Sequence, residues 1–403
     1  MAGYQNTPVE KDDFTRTIVE AFSDKDMIGI SQGGQSLFGN PAAGGSKTVY
    51  SRDKNTVEIA IRRGNDRLAA LVPRGGVPGI DASTTKLVEA KQSVFQRVYP
   101  LIEDEYPIRA SQLLFAIPGE SNEARVTRED RMMFLALDGA QEMIRRVGRL
   151  NEYLSWQSIL TGKQPAIYGT TDANLQYDFL RPSGHTVAVG TEWSTGDPLG
   201  DIADSVDLIR GAAHVTPDYL LLASDSWYAM IQNTVFAGIA ENSGYNLIRI
   251  GPEDVIPPRY ARMVANGFMC VGALVTPNGA KLYLFLYEDL YTNPAGTQTK
   301  YLPDGYAVLG YTGTRCDRYF GPPEVMPMAP SVRADFRSLF GFSLDNPPVA
   351  PNARPGNVFD PNSLYFDAYP HGNNKGWTIR VQAAPIFATT MTDAFVVMTG
   401  CAT

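Results

Sequence analysis

Cysteine is scarce in this chain: three in 403 residues, at Cys270, Cys316 and Cys401. No two of them form a Cys-x-x-Cys pair. An odd, scattered set builds neither a disulfide framework nor a structural zinc site, and it fits a reducing cytoplasm. Histidine is as sparse. His185, His214 and His371 form no His-Glu-x-x-His or His-x-His arrangement, so they read as loop or surface residues rather than metal ligands. Charged residues make up only 19 %, and 35 basic against 43 acidic side chains leave a net charge of −8. An acidic chain without a large basic block is not built as a dedicated nucleic-acid reader. No apolar run approaches the ~20 residues of a membrane span. The opening Met1-Ala2-Gly3-Tyr4-Gln5 lacks the charged-then-apolar order of a secretory signal. The expectation is a chain neither secreted nor inserted in a membrane.

What is present is globular. Apolar residues reach 44 %, and the length allows two or three domains. The 37 glycines and 28 prolines exceed the usual ~12 % share, which points to turns, long loops and irregular arms. Residues 1–48 read as an N-terminal arm whose glycine-rich run, Gly33 to Gly45, buries too little apolar surface to fold alone. Residues 49–118 read as extended chain. Val57, Ile59 and Ile61 alternate with Glu58, Ala60 and Arg62, the period of a half-buried strand. A second β-rich stretch holds Val94, Phe95, Val98 and Tyr99. Two strands around a polar, glycine-rich middle predict a projecting hairpin with Asp81–Lys86 near its tip.

The strongest helical signal follows. Thr127 with Asp130 resembles a capping box, and Met133, Leu137, Ala140, Ile144, Val147 and Leu154 recur at helical spacing up to Gly162, a natural terminator. The spacing predicts a helix over 127–161, a rod of about 50 Å. Gly139 and Gly148 each weaken it by about 1 kcal/mol, and the loose heptad favours a helix lying on a sheet over a coiled coil. From 201 to 312 helix and strand alternate. Ile202, Val206 and Ile209 form one helical face, and Ser224 is placed to cap a second helix carrying Trp227, Ile231 and Val235. Strands 270–276 and 281–287 flank Pro277-Asn278-Gly279, a specific hairpin cue. In the second strand Leu282, Leu284 and Leu286 fall on one face and Tyr283, Phe285 and Tyr287 on the other. Residues 321–375, crowded with proline, read as a long irregular excursion. Regular strands return at Trp377–Val381 and Ala394–Met398.

Catalytic motifs fail one by one. Gly44-Gly45-Ser46-Lys47-Thr48 lacks the lysine directly after glycine that a phosphate loop needs. Gly190-Thr191-Glu192-Trp193-Ser194 is not a nucleophile elbow, because Glu192 and Trp193 stand where Gly-x should. Glu103-Asp104-Glu105 reads as a solvated turn rather than a cation site. The pairs Arg62-Arg63 and Arg145-Arg146 do not alternate with aromatics as a single-strand groove would. Met132, Met133 and Phe134 suit core filling. No catalytic, cofactor or metal constellation remains. The residual features are projections, each exposing groups that a neighbouring copy would cover. Arg74, Asp81, Lys86, Glu89 and Lys91 of the hairpin, with Arg145 and Arg146 of the rod, are the intersubunit contacts this implies.

Three fragments resemble the lambda-type tailed-phage major capsid proteins, the E family. They are Gly190–Ser194 with the acidic helix start Asp201-Ile202, then Tyr301–Gly310 with Arg318 and Tyr319 nearby, and Val381–Ile386 with Asp393–Val397. Their order agrees with that family, while the 1–48 arm and the length of the 321–375 excursion depart from it. The resemblance implies an α+β, Hong Kong-97-type capsid fold. In it 49–118 is the extended loop, 119–200 a peripheral domain with 127–161 as spine helix, and 201–312 the axial domain. Residues 313–403 return to the peripheral domain. It further implies hexamers and pentamers of an icosahedral shell around double-stranded DNA, held non-specifically. Scaffold, portal and decoration proteins are the implied partners, the host cytoplasm the place of assembly, and the virion the destination. Two alternatives compete: a cellular nanocompartment shell of the encapsulin kind, and a monomeric hydrolase or carbohydrate-binding protein using an exposed Tyr287, Tyr291 and Tyr306 region.

Overall fold

The computed structural model describes residues 48–50, 56–57, 59, 97–98, 102–109, 128–165, 176–242, 248–249, 260, 267–314, 316–321, 365–370, 376–389 and 391–402. Among these, the long helix α1 runs over Arg128–Thr161, 34 residues, within one residue of the span its spacing predicts; Thr127, the predicted cap, lies outside the described residues. The chain leaves the helix through Gly162 at φ 68°, a left-handed conformation that glycine adopts without steric cost. Over 151–160 every residue but Gln157 is buried, so the last turns are enclosed on all sides. Inside that enclosure Glu152 accepts hydrogen bonds from Trp156 Nε1 at 2.8 Å and Tyr287 Oη at 3.1 Å. A buried carboxylate is tolerable only with such donors.

The helix lies against one face of a central sheet. Its strands are β7 (Thr186–Ala188), β8 (Tyr219–Leu222), β9 (Ile248–Arg249), β10 (Met269–Val275), β11 (Lys281–Leu286), β14 (Tyr306–Gly310) and β19 (Val396–Thr399), in the order β7-β19-β14-β8-β11-β10-β9. Helices α2 (Pro198–Ala213), α3 (Ser224–Gln232) and α4 (Thr234–Asn242) supply the other face. Strand β11 divides its side chains as its alternation predicts. Leu282 and Leu284 join Ile202, Val206 and Ile209 in one core, while Tyr283, Phe285 and Tyr287 join Trp156, Tyr260 and Phe268 in the other. Each fully buried side chain of this size contributes about 1.5–3 kcal/mol. The sheet is therefore the middle of three layers. The β10–β11 hairpin turns through Gly279 at φ 80°, and Asn278 ties it to α2 by donating to Ala203 O and Asp207 Oδ1, both at 2.9 Å.

Smaller sheets flank this body. β1 (Thr48–Tyr50) runs parallel to β15 (Cys316–Phe320), which pairs with β18 (Pro385–Thr389). β4 (Ile102–Arg109), β17 (Gly376–Ala383) and β16 (Tyr365–Pro370) form a second three-stranded sheet. β2 (Thr56–Val57) pairs antiparallel with β3 (Arg97–Val98), which brings the two stretches read as hairpin strands together. β5 (Lys163–Pro165) pairs with β6 (Gln176–Asp178), and β12 (Leu290–Thr292) with β13 (Gln298–Lys300). Helix α1 and the β5 strand that follows it are fastened to β18 by polar bonds: Ser158 of α1 meets Thr389 at 2.8 Å, and Gln164 of β5 donates to Pro385 O at 3.1 Å and accepts from Phe387 N at 2.8 Å.

Four sequence expectations need correction. Glu103-Asp104-Glu105 is strand, not turn, because β4 is held along its whole length by β17. Tyr365–Pro370 is strand within the stretch read as excursion; its Tyr-Phe-x-Ala-Tyr run favours extended pairing, and its proline falls at the strand end. Ser224 is the first residue inside α3, whose N-cap is Ala223 without a side-chain bond. The single helix read through Trp227, Ile231 and Val235 breaks at Asn233 into α3 and α4, and its buried face carries Ala229, Met230 and Phe236 instead. The central sheet also takes β7 and β19 from outside the 201–312 segment. The arm before Thr48, the hairpin tip and residues 322–364 lie outside the described residues.

Candidate functional site

Two of the sequence fragments that carry the family resemblance meet just past the end of β19, at Cys401. The third supplies the start of that strand through Val396 and Val397, while its Val381–Ile386 part lies in β17 and β18. Trp193 is fully buried, and its backbone N donates to Cys401 O at 2.9 Å. Cys401 N in turn donates to Gly305 O at 2.9 Å, and Gly305 N to Asp225 Oδ2 at 2.6 Å. The Trp193 indole donates to Asp201 Oδ2 at 3.0 Å in the first turn of α2. Burial pushes the Asp201 carboxyl above its usual range, the indole bond opposes this, and the charges of Asp197 and Asp204 add to it. Gly305 sits at φ 74°, where a Cβ would stand 2.6 Å from Ala402 O, so only glycine allows this approach. Asn233 closes the ring of contacts: its Nδ2 donates to Trp193 O and Gly196 O at 2.8 Å, while its Oδ1 accepts from Val235 N and Phe236 N at 3.0 Å and so caps α4.

This junction binds segments of one chain; its groups are spent on one another. Ser194 donates to Glu192 Oε1 at 2.5 Å. His185 is buried with Nδ1 2.9 Å from Phe395 O, against its reading as a loop or surface residue, and His214 is the left-handed cap of α2 at φ 56°. His371 lies outside the described residues. Burial holds the Cys401 thiol up at about 12 and raises that of Cys270, the reverse of an activated nucleophile. Among the described residues no three His, Cys, Asp or Glu side chains gather as a metal site. Tyr287 is buried rather than exposed, and Tyr291 and Tyr306 pack against the same core, which removes the aromatic platform of the hydrolase or carbohydrate-binding alternative.

Of the residues expected at contacts between subunits, Arg74, Asp81, Lys86, Glu89 and Lys91 lie outside the described residues. Arg145 and Arg146 lie on α1, where both approach Glu142, at 3.9 and 3.5 Å, with Arg149 at 3.8 Å. Side chains there are about half exposed, and such pairs contribute little to stability. Sequence reasoning missed a different surface. Tyr228, Ile231 and Val235 on α3 and α4 are exposed large hydrophobics, as are Leu290 on β12 and Met269 on β10. The signal was Asn233: a strong capping residue inside an apolar run marks a break, and a break rotates the following face.

Comparison with known proteins gives one family. The model described as "Phage major capsid protein E" matches residues 45–399. A crystal structure of an E. coli CFT073 prophage protein assigned as a capsid protein is similar at TM-score 0.61 and 14 % identity, covering 98 % of this chain and 99 % of the other. A phage-related protein from Bordetella bronchiseptica RB50 gives TM-score 0.45 at 11 % identity, with 97 % of each chain covered. The SrpI encapsulin of Synechococcus elongatus PCC 7942 gives 0.37 at 10 %, over 88 % of this chain and 85 % of the other. No curated protein sequence matches significantly.

Proposed function

The chain belongs to the phage major capsid protein E family, and from that membership we propose that its copies form hexamers and pentamers closing an icosahedral head around double-stranded DNA. It is a structural protein of the virion with the α+β, Hong Kong-97-type fold. The observation that carries the assembly reading is the extent of the family match, continuous from residue 45 to 399. It takes in the 49–118 hairpin, α1 and the three-layered body. On this reading 49–118 is the extended loop, α1 the spine of a peripheral domain and 201–312 the axial domain. Residues 313–403 lead back to the peripheral domain.

The physics supports it. Closed symmetry repeats one contact set many times, so no single interface needs to be strong. Projections draped on neighbours enlarge the buried area per subunit without enlarging its core. A net charge of −8 keeps the shell from gripping packaged DNA tightly. The role is structural rather than enzymatic. Assembly takes place in the host cytoplasm with scaffold and portal proteins, and a decoration protein is a further partner.

The test is light scattering with negative-stain imaging of the recombinant full chain, alone and co-expressed with its neighbouring genes. Rings or hollow shells of uniform diameter are expected. A strict monomer under both conditions overturns the reading. Terminase and portal genes beside the coding sequence separate a virus head from a cargo compartment.

A further inference from the structure

The β10–β11 hairpin turns on one of the two Asn-Gly pairs in the chain, Asn278-Gly279; the asparagine of the other, Asn266-Gly267, lies outside the described residues. An asparagine followed by glycine is prone to deamidation, because no side chain hinders the glycine nitrogen as it turns onto the amide carbon. In that reaction the Gly279 nitrogen gives its proton to a solvent base and bonds to Asn278 Cγ. The Cγ–Nδ2 bond breaks, and Nδ2 leaves as ammonia with a proton from water. Water then opens the cyclic imide at either carbonyl, leaving aspartate or isoaspartate at position 278. A water is consumed for each ammonia released, and nothing is oxidised or reduced.

Asn278 is half-buried and Gly279 exposed, so water reaches the pair, yet every reacting group is already engaged. Gly279 N donates to Thr276 O at 2.9 Å. Asn278 Nδ2, the leaving group, donates to Ala203 O and Asp207 Oδ1 of α2, both at 2.9 Å, and Oδ1 accepts from Thr276 Oγ1 at 2.5 Å. The Asn278 carbonyl accepts from Arg210 Nη1 at 3.0 Å, and the same nitrogen lies 3.6 Å from Asp207 Oδ1. Cyclisation requires the side chain to swing onto the Gly279 nitrogen, and that movement breaks its bonds to α2 and to Thr276.

We propose that Asn278-Gly279 is a modification site shielded by the fold: docked on α2 it persists, and undocked it deamidates and loses its fit to the helix. This is independent of the assembly reading. The loss of fit follows from the product. Aspartate at 278 puts an oxygen where Nδ2 stood, against two acceptors, Ala203 O and Asp207 Oδ1, so two attractions become repulsions. Arg210 offsets this only in part, being engaged with the Asn278 carbonyl and Asp207 already. Isoaspartate adds a main-chain carbon to the turn between Val275 and Lys281, the last paired residues of the hairpin. Either product is a permanent record that the hairpin and α2 came apart.

The experiment incubates the full chain at pH 8, native and in urea, and follows both Asn-Gly pairs by peptide mapping that separates aspartate from isoaspartate. In urea both should convert. In the native protein Asn278 should convert at least about tenfold more slowly than in urea, as for a site that reacts only through local opening. Asp207→Ala combined with Arg210→Ala should speed native conversion several-fold with circular dichroism unchanged. Asp207→Asn alone, which keeps an oxygen acceptor, should remain protected. Native conversion as fast as in urea overturns the shielding, and a double variant as slow as wild type shows that the contacts with α2 do not provide it. Asn278→Asp should lower the urea midpoint at pH 7.5, and adding Asp207→Asn should recover part of it. An unchanged midpoint overturns the loss of fit.

Discussion

Gly162 and Arg181 interlock at the end of the long helix: a Cβ on Gly162 would stand 2.6 Å from the Cβ of Arg181. The guanidinium reaches past it to the last turn, donating to Ile159 O at 2.7 Å and Leu160 O at 2.8 Å. These are carbonyls that a helix leaves without intrahelical partners. Burial lowers the guanidinium to about 10, so it remains a cation at neutral pH, as suits a helix C-terminus. Gly162→Ala is expected to cost more than the ~1 kcal/mol of left-handed strain alone, because the methyl also displaces Arg181. Arg181→Ala should cost about 1–3 kcal/mol through unsatisfied carbonyls. Urea unfolding of each variant measures both, and the double variant should lose less than the sum, since the residues share one contact. Strict additivity would show that they act separately.

Asn233 replaces three things at once: a helix cap, a break in an apolar run and two tethers to the Trp193 segment. Asn233→Ala removes the cap of α4 and leaves Trp193 O and Gly196 O without their donor in a site 2 % exposed. A loss of about 2–4 kcal/mol is expected. Asn233→Asp keeps the cap but not the tethers and should recover only part. Thermal melts of the two variants check the order; equal losses would mean that the cap contributes nothing.

How much of this was legible beforehand follows from the range of each signal. Helix α1 and the β10–β11 hairpin rest on local chemistry, helical spacing up to Gly162 and an Asn-Gly turn, and both appear where expected. The alternation through Leu282–Tyr287 divides between two cores because a strand sends successive side chains to opposite faces wherever it lies. The junction at β19 was visible only as fragments. Nothing local tells that Trp193, Gly305 and Cys401 meet, because β19 reaches β7 and β14 by pairing with residues about 90 to 210 positions earlier. Tyr365–Pro370 was hidden for a related reason: proline density describes the surrounding stretch, whereas the strand exists through its partner β17.

Cys401 and Cys270 should resist modification in the native protein. Cys401 is fully buried with its thiol up at about 12, and Cys270 is half-buried with its thiol raised by burial. At pH 8 the reactive thiolate is then a small minority at both. Iodoacetamide labelling followed by peptide mapping should show both sulfurs modified only after denaturation. Rapid native labelling of Cys401 would mean that the end of β19 opens readily, contrary to its place in the interior of the central sheet.

The Asp201 carboxyl gives the junction a pH dependence whose sign is fixed by its surroundings. Its folded-state value lies above the ordinary one, through desolvation first and through Asp197 and Asp204 in addition. The native state therefore holds its proton more readily than the unfolded chain does. Between the two values stability falls as pH rises, and the whole cost of the buried charge is present above the folded value. Asp201→Asn keeps an acceptor for the Trp193 indole and removes the charge. The variant should be more stable than wild type at pH 7.5 by less than about 1 kcal/mol, a modest figure because the group is partly solvated. The advantage should shrink as pH falls and vanish near the ordinary carboxyl range of about 4. Urea unfolding at pH 4, 5.5 and 7.5 reads this directly. A variant less stable at pH 7.5 than at pH 4, each relative to wild type, would mean that the carboxylate is stabilised at the start of α2, its helix-dipole interaction outweighing desolvation.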